Sequence, residues 1–497
     1  MGIKRAAMAA LLLTGCTAGP DFERPEAWTP STWFTRKAAK PTLEASMPVA
    51  GPLDTEWWIG FHDPVLIALI ERAAANNLDV RAATARLAQS RAQRGIGAAD
   101  AFPQINGTTS LTRQRLSKNG AASLFGGGGA PGGAVPIGGR SIPAFDLFQG
   151  GFDAAWELDL WGRVRRAVEN ADATLDASRE ARRATLISTL SEVARNYIQL
   201  RGTQASLRLT LDNLASAQES ASLTSERSRA GLSTDLDVAN ARAQVESTAA
   251  ILPQLEQQEQ QGMNAISLLL GMPPATLQAE LGTAAPVPPL PPAVPIGLPS
   301  ELARRRPDVR QAEAQLHAAT ASIGMARADF YPKITLSGSV TLQSTQLKNL
   351  AGIASTAYSI GPSITLPIFE GGRLRRTVEL REAQQQEAAI TYQRTILQAF
   401  TEVDNALIAY GAEQRRRLRL VAQVEQAKLA LGLAQSRFRQ GISDFLGVLT
   451  TQRTVLSAQQ QLADSTTLVS SNLVALYKAL GGGWEQTYKE TQMAESP

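Results

Sequence analysis

The sequence is poor in the side chains on which most catalytic and metal centres are built. Its 497 residues include two histidines, His62 and His317, and one cysteine, Cys16. A zinc site needs three or four nitrogen, sulfur or carboxylate ligands, so a His/Cys-rich metal centre is excluded. One thiol forms no disulfide within the chain, and a Cys–His nucleophile pair is ruled out because Cys16 sits in a processing signal. Excess charge of one sign is also missing. Lys plus Arg number 49 against 45 Asp plus Glu, a net charge of +4, without the concentrated basic face that a nucleic-acid partner requires. Beyond the N-terminal signal no run reaches 18 apolar residues, so a membrane crossing would have to be a closed barrel. With hydrophobic residues at 44% and charged residues at 19%, the chain is not disordered. Aromatics are only 5%, and the apolar content is largely Ala and Leu, which favour helices. This composition points to a protein that is not an enzyme and needs no cofactor.

Lys4 and Arg5 precede an apolar run from Ala6 to Leu13 and then Thr14-Gly15-Cys16. A basic start, a short apolar middle and a small-residue cleavage point make an export signal. Leu13-Thr14-Gly15-Cys16 resembles the bacterial lipobox, whose cysteine is acylated and becomes the mature N-terminus. Residues 1–15 are therefore read as a lipoprotein signal peptide and Cys16 as the lipidation site, bearing diacylglycerol and an acyl chain such as palmitate. Thr17, not Asp, follows it, which by analogy with such lipoproteins favours the outer membrane.

The chain contains a duplication. Asp79-Val80-Arg81 recurs as Asp308-Val309-Arg310, and Asp100-Ala101-Phe102-Pro103 as Asp329-Phe330-Tyr331-Pro332, both 229 positions later. Arg163-Val164-Arg165-Arg166 recurs as Arg373-Leu374-Arg375-Arg376, Glu192-Val193 as Glu402-Val403, Gly231 as Gly441 and Leu270-Gly271 as Leu480-Gly481, all 210 positions later. Each unit reads helix, β-hairpin, very long helix, tight turn, helix. Residues 163–229 contain no Pro and one Gly, Gly202. Leu186, Leu190, Val193, Tyr197, Leu200, Leu207, Leu211 and Leu214 follow a 4-3 spacing with a gap at Gln204, the period of a supercoiled seam. Ile396, Phe400, Val403, Leu407, Tyr410, Val421 and Val424 repeat it. At 1.5 Å per residue such a helix is about 100 Å long. Both long helices end at a Gly followed by a capping residue, Gly231 to Asp235 and Gly441 to Asp444.

Other segments have period 2. Ile334, Leu336, Gly338, Val340 and Leu342 alternate with polar residues, as do Phe152, Ala154, Trp156, Leu158 and Leu160, and Ile360, Ile364, Leu366 and Ile368. Residues 105–114 are a weaker match. A one-sided soluble sheet has the same pattern, but strands of about ten residues also have the length that crosses a bilayer in a barrel. The first hairpin carries a Gly-rich loop, Gly126 to Gly139, with no following Gly-Lys-Ser/Thr to cradle phosphate. Four strands cannot close a barrel of useful bore, so several chains must contribute.

Longer stretches complete the picture: Trp57-Trp58 with Phe61, Asp63, Pro64 and Leu66; Gly297-Leu298-Pro299-Ser300-Glu301-Leu302 with Arg304-Arg305-Arg306-Pro307-Asp308; Leu366-Pro367-Ile368-Phe369 with Gly371-Gly372-Arg373; Gln459-Gln460-Gln461-Leu462; and Tyr477-Lys478-Ala479-Leu480-Gly481-Gly482-Gly483-Trp484. In these the chain resembles the TolC/OprM-type outer-membrane efflux proteins, in their lipoprotein (NodT-like) branch. The resemblance implies a mainly α fold with a β membrane part. A homotrimer would form a 12-stranded outer-membrane β-barrel continuous with a 12-helix periplasmic α-barrel. It also implies a passive duct in a Gram-negative outer membrane, passing drugs or other small toxic compounds from an inner-membrane RND transporter through a periplasmic adaptor (a membrane fusion protein). The alternatives are the duct of a type I protein secretion system and a periplasmic coiled-coil scaffold lipoprotein without a pore.

The organisation expected is a lipid-anchored extended segment at 16–60 and a first repeat at 61–283, with strands about 103–116 and 144–160, a long helix about 163–229 and a return helix about 234–270. A Pro-rich connector follows at 284–300. The second repeat spans 301–484, with strands about 333–345 and 357–369, a long helix about 373–439 and a return helix about 445–480; 485–497 is a polar tail. By resemblance, Phe438, Arg439, Leu446 and Thr450, with Asp235, Asp237 and Asp444, lie at the periplasmic aperture, and Gly231 and Gly441 mark adaptor-docking turns. Thr450 stands where some relatives have Asp, so an acidic ring at that level is not expected here.

Overall fold

The structure is a computed structural model that describes residues 17–26, 29–30, 33, 46–49, 51–115 and 144–485. Cys16, the Gly126–Gly139 loop and all of the polar tail but Glu485 lie outside the described residues. The elements are β1 (Met47–Val49), α1 (Pro64–Asn76), α2 (Leu78–Ala99), β2 (Gln104–Gln114), β3 (Phe145–Glu157), α3 (Arg163–Arg229), α4 (Asp235–Ala249), α5 (Leu252–Leu269), α6 (Gln278–Leu281), β4 (Ala293–Pro295), α7 (Pro299–Arg305), α8 (Pro307–Ala328), β5 (Lys333–Ser344), β6 (Thr356–Thr365), α9 (Arg373–Arg439) and α10 (Phe445–Leu480). Among the described residues no helix is long and apolar enough to cross a membrane.

The duplicated segments are not the compact units. One unit comprises described residues within 1–23, 90–174 and 316–387, and so takes the β-hairpins of both repeats; the other comprises those within 24–89, 175–315 and 388–497. In the first, the four strands form one antiparallel sheet in the order β2-β3-β5-β6. Gln104 pairs with Ala155 in the first hairpin and Lys333 with Thr365 in the second. These positions are related by the sequence offsets of 229 and 210, so the two hairpins share one register.

In the second unit the Trp57-Trp58 segment meets the C-terminal end of α10. Trp57, in a short 3-10 helix over Trp57–Phe61, stacks on Tyr477 at 5.3 Å and meets Trp58 edge-on at 5.5 Å. Trp484 lies under the Arg183 guanidinium at 4.3 Å and the Arg310 guanidinium at 5.7 Å. Glu180 bridges the same two arginines, at 2.7 and 2.8 Å, while its burial raises its pKa against their pull. The Trp57-Trp58 and Gly-Gly-Gly-Trp motifs are thus two halves of one core.

The seam of α3 departs from the expected pattern. Leu186, Leu190, Val193, Tyr197 and Leu200 are buried, but Leu211 is 48% exposed, and beyond Ser206 the buried positions are Thr210, Ala217 and Thr224. Small and polar residues let α10 approach closely through a ladder of amide bonds. Gln452 donates to Ser220 at 2.7 Å, Asn213 to Gln459 at 3.2 Å and Gln460 to Ser206 at 3.0 Å. Gln204, the apparent gap, is fully buried and donates to the Leu281 carbonyl at 2.7 Å and to Glu259 at 2.8 Å. The single glycine, Gly202, sits where α10 comes nearest: a Cβ there would run into the Thr467 side chain.

Three expectations are corrected. The return run over 234–270 is two helices, α4 and α5, because Pro253 in the first turn of α5 has no N–H to continue the ladder. The strand expected to reach 369 ends at Thr365, before Pro367. The Pro-rich connector expected at 284–300 is shorter and not free of structure: Ala293–Pro295 pairs as a strand in parallel with Met47–Val49, and its last two residues, Pro299 and Ser300, already belong to α7.

The Gly202 packing makes a testable prediction. Gly202→Ala gains about 1 kcal/mol of helix propensity but is overpacked against Thr467 by about 1–3 kcal/mol, so the unfolding midpoint should fall. In a Thr467→Ala background the same substitution should raise it. Thermal melts of the four proteins by circular dichroism make the comparison.

Candidate functional site

Two regions carry the features expected of a duct, and they belong to different units. In the sheet, cross-strand pairing sorts the side chains by face. Ile105 and Leu111 of β2 share a face with Phe148, Phe152, Ala154 and Trp156 of β3, with Ile334, Leu336, Val340 and Leu342 of β5 and with Tyr358, Ile360 and Ile364 of β6. The opposite face carries Asn106, Thr108, Ser110, Gln149, Asp153, Thr335, Ser337, Ser339, Thr341, Ser359 and Ser363. Asn106 bonds Asp153 at 3.3 Å, and Ser339 meets Ser359 at 3.0 Å. The apolar face is bare: Ile360 is 78% exposed and Phe152 66%. A sheet with a bare apolar face and a hydrophilic reverse matches the wall of a transmembrane barrel, hydrocarbon on one side and water on the other. The outer edges of β2 and β6 have no strand partner among the described residues.

The second region is the pair of helix turns. Gly231 and Gly441 have φ of 67° and 73°, the left-handed conformation that glycine adopts without steric penalty. In each turn two backbone bonds close the helix: Gly231 N–H to Ser228 and Leu232 N–H to Arg227, repeated as Gly441 to Phe438 and Ile442 to Arg437. Thr234 then caps α4 in a reciprocal box with Asp237. Asp444 caps α10, accepting from the Gly447 N–H at 3.4 Å. Burial works to raise the Asp237 pKa, but the Thr234 N–H and hydroxyl and the Ser233 hydroxyl outweigh it and hold the carboxyl below its ordinary value.

The expected aperture residues divide by environment. Arg439, Leu446, Thr450, Asp235 and Asp444 are exposed. Asp237 is committed to its capping box, Asp235 accepts from Ser228 at 3.3 Å, and the Thr450 hydroxyl donates back to Leu446 O at 2.8 Å. Phe438 is enclosed, 4% exposed, in a small core with Ala241, Phe445, Val448 and Leu449. Phe438 and Phe445 meet edge-on at 5.6 Å. Over Phe438 lies the Arg227 guanidinium, 4.7 Å away, which also donates to the Arg439 carbonyl at 3.4 Å. Arg227 and Phe445 were not anticipated. The signal available was two aromatics flanking one turn in a chain with few aromatics. Leu232 and Leu236 in one turn and Ile442 and Leu446 in the other occupy equivalent positions, all exposed.

Comparison with known proteins follows this geometry. The sequence pattern of the outer membrane efflux protein family matches residues 69–272 and 298–482. The solvent efflux pump outer membrane protein SrpC of Pseudomonas putida is 35% identical over 485 residues, covering 96% of this chain and 97% of that protein. Outer membrane protein OprJ of Pseudomonas aeruginosa is 35% identical over 482 residues, 97% of this chain and 96% of that one. Among solved structures, the outer-membrane channel OprN has a TM-score of 0.85 at 35% identity, over 94% of this chain and 100% of that chain. The open-state MtrE outer membrane channel of Neisseria gonorrhoeae has a TM-score of 0.78 at 29% identity, over 94% and 99%.

Two predictions concern the turns. Phe438→Ala should remove about 3–5 kcal/mol of local packing and strip amide-exchange protection from residues 431–449, whereas Phe438→Leu should keep most of it; exchange mass spectrometry reads both. Asp237, with its pKa lowered by folding, stabilises the first turn at neutral pH and loses that contribution as pH falls below the ordinary aspartate range. The protection factors of amides 231–240, with the intrinsic pH dependence of exchange divided out, should therefore fall on acidification, and Asp237→Asn should remove that acid-side loss.

Proposed function

The chain belongs to the outer membrane efflux protein family, and from that premise we propose a homotrimer whose barrel is closed by strand pairing between copies. It is an outer-membrane exit duct of a tripartite efflux pump, lies in the outer membrane of a Gram-negative bacterium and extends into the periplasm. Proteins of this kind work with a periplasmic adaptor and an inner-membrane transporter.

One observation carries the trimer reading. Both hairpins share one register, and β3 pairs with β5 across the repeat boundary. Edge β6 of one copy can meet edge β2 of the next in the relation that β3 has to β5. Transferred by the repeat offsets, the pairing Asp153 with Ser339 becomes Ser363 with Ser110 of the neighbouring copy. Three four-stranded sheets joined in this way give a 12-stranded barrel with its apolar face to lipid, leaving no edge unpaired. The paired helices would continue it as a 12-helix tunnel.

The finer assignments follow from this architecture and the relatives. The transporter is of the RND class and the cargo is drugs, solvents or other small toxic compounds; the solvent efflux relative supports this choice over protein secretion. The duct is passive and catalyses nothing. Gly231 and Gly441, with the exposed apolar residues Leu232, Leu236 and Ile442 beside them, receive the adaptor. The exposed residues Arg439, Leu446 and Thr450 form rings at the aperture, with Phe438 supporting them from behind. Cys16 carries the diacylglycerol and acyl lipid.

The register is directly testable. A chain with Ser110→Cys and Ser363→Cys should oxidise to a covalent trimer on denaturing gels, and each single substitution should stay monomeric. Displacing one cysteine by two residues on the same face, as in Ser110→Cys with Gly361→Cys, should give markedly less cross-linking. Equal cross-linking from both pairs would overturn the proposed closure.

A further inference from the structure

The charge of the chain is not spread evenly along it. The sequence from Arg113 to Asp146 spans the connection from β2 to β3, and that from Ser344 to Thr356 spans the connection from β5 to β6. Together they hold five basic residues and one acidic residue, Asp146. That surplus of four equals the net charge of the entire chain, +4, so the remainder is balanced. Arg113, Arg115 and Lys348 are the bases that lie within the described residues, and all three are exposed.

Strand direction gathers these bases at one end of the sheet. α2 leads into β2 and β3 leads into α3 at Gln104 and Glu157, and α8 and α9 join β5 and β6 at Lys333 and Thr365. All four helices therefore leave from one end, and the hairpin connections occupy the other. With the helices on the periplasmic side, the hairpin end faces outward. At the helix end the bases are matched by acids: Arg163 and Lys333 hold Glu157 at 2.7 and 2.9 Å, Arg373 pairs with Glu370, and Arg375 and Arg376 share Glu379. At the hairpin end Asp146 stands 3.6 Å from Arg113, whose side chain is still 73% exposed. Arg115 and Lys348 have no ion-pair partner among the described residues.

The register assigns Arg113 to the apolar face. It pairs with Asp146 two places beyond the Leu111–Phe148 pair, on the side that carries Ile105 and Phe152. A long cationic side chain at the end of an apolar band reaches the level where hydrocarbon gives way to headgroups. The β5–β6 connection combines the same two features. Lys348 sits in a short 3-10 turn over Leu347–Asn349, held by bonds from the Ser355 hydroxyl to Asn349 O at 2.8 Å and from Asn349 to Gln346 at 3.3 Å. On this ordered loop Leu347 and Ile353 are bare, the latter 93% exposed. A fixed cation among bare apolar side chains suits a ligand that is anionic at one end and hydrocarbon at the other. Only β3 separates β2 from β5, so their axes lie about 10 Å apart and one headgroup with two phosphates can reach both.

We propose that Arg113, Arg115 and Lys348 form a basic collar that binds the phosphate groups of a glycolipid in the outer leaflet, with its acyl chains against the apolar face of the sheet. A guanidinium takes phosphate through paired N–H groups and an ammonium takes it as a point charge. The collar sets the depth of the sheet and directs its hairpin end to the leaflet richer in phosphate. This rests on the reading of the sheet as part of a transmembrane barrel.

The test titrates the purified full chain, in dodecyl maltoside with EDTA so that no divalent cation bridges, with diphosphorylated lipid A; native mass spectrometry counts the lipids retained. Arg113→Gln and Lys348→Gln should each weaken retention about fivefold and together about 25-fold. Arg375→Gln, which removes an exposed base at the helix end, should change it by less than about twofold. Monophosphorylated lipid A and phosphatidylglycerol should both bind more weakly than the diphosphorylated form. Equal retention of phosphatidylglycerol would reduce the collar to attraction for any anionic lipid, and displacement by excess inorganic phosphate would make free phosphate the ligand; either overturns the assignment, as does retention unchanged in the double variant. The Ser110–Ser363 cross-link scores the barrel separately. A cross-linked trimer that retains no lipid A overturns the collar alone, whereas a chain that never cross-links overturns the barrel reading, whatever it retains.

Discussion

A β-strand edge in hydrocarbon must find a partner, because no water is present to satisfy its N–H and C=O groups. That constraint governs the sheet of this chain. Four strands with one bare apolar face expose two edges, and each edge strand carries a single residue of the kind soluble proteins use to keep strands apart, Arg113 in β2 and Pro362 in β6. In the closure proposed above, the shared register of the hairpins would give those edges a partner of the correct geometry, another copy of the same chain. The duplication in the sequence is therefore a way of encoding a closed wall with few distinct parts. One strand-pairing rule is used inside the chain at β3–β5 and is available again at its borders.

The helices use a different interaction. Apolar heptads hold the first part of α3, but past Leu200 the contacts with α10 rest on serine, asparagine and glutamine, and beyond Ser206 the buried residues are Thr210, Ala217 and Thr224. A narrow, amide-lined contact suits helices that form a thin wall, since each has neighbours on its sides but only water or solute across it. A broad leucine stripe would demand a core that such a wall does not have.

Much of this was legible from residue order. The ends of the long helices are marked by Gly231 and Gly441 with their capping residues, since glycine alone stops a helix in the left-handed conformation without strain. The strands could be read from their period-2 alternation. Other features were not legible because they depend on partners distant in sequence. Gln204 looked like a defect in a heptad until its bonds to Leu281 and Glu259 were visible. The enclosure of Phe438 was not legible because the Arg227 and Phe445 that enclose it belong to other helices. Pro253 was a local signal, yet the continuity of the flanking apolar pattern outweighed it. The pairing of Met47–Val49 with Ala293–Pro295 joins segments too short and too proline-rich to declare themselves as strands.

Helices with periodic seams can slide along one another by whole heptads, about 10 Å at a time, and recover most of their contacts. The amide ladder has this weakness: Ser220 and Asn213, like Gln452 and Gln459, are seven apart, so part of the ladder would re-form after such a slip. Gly202 is the single glycine in 67 residues of α3, and it faces the one point where Thr467 needs the room. A repeating pattern combined with a single non-repeating fit works as a vernier with one zero mark. It assigns α3 a unique axial position against α10, and so fixes the height at which its turn is presented.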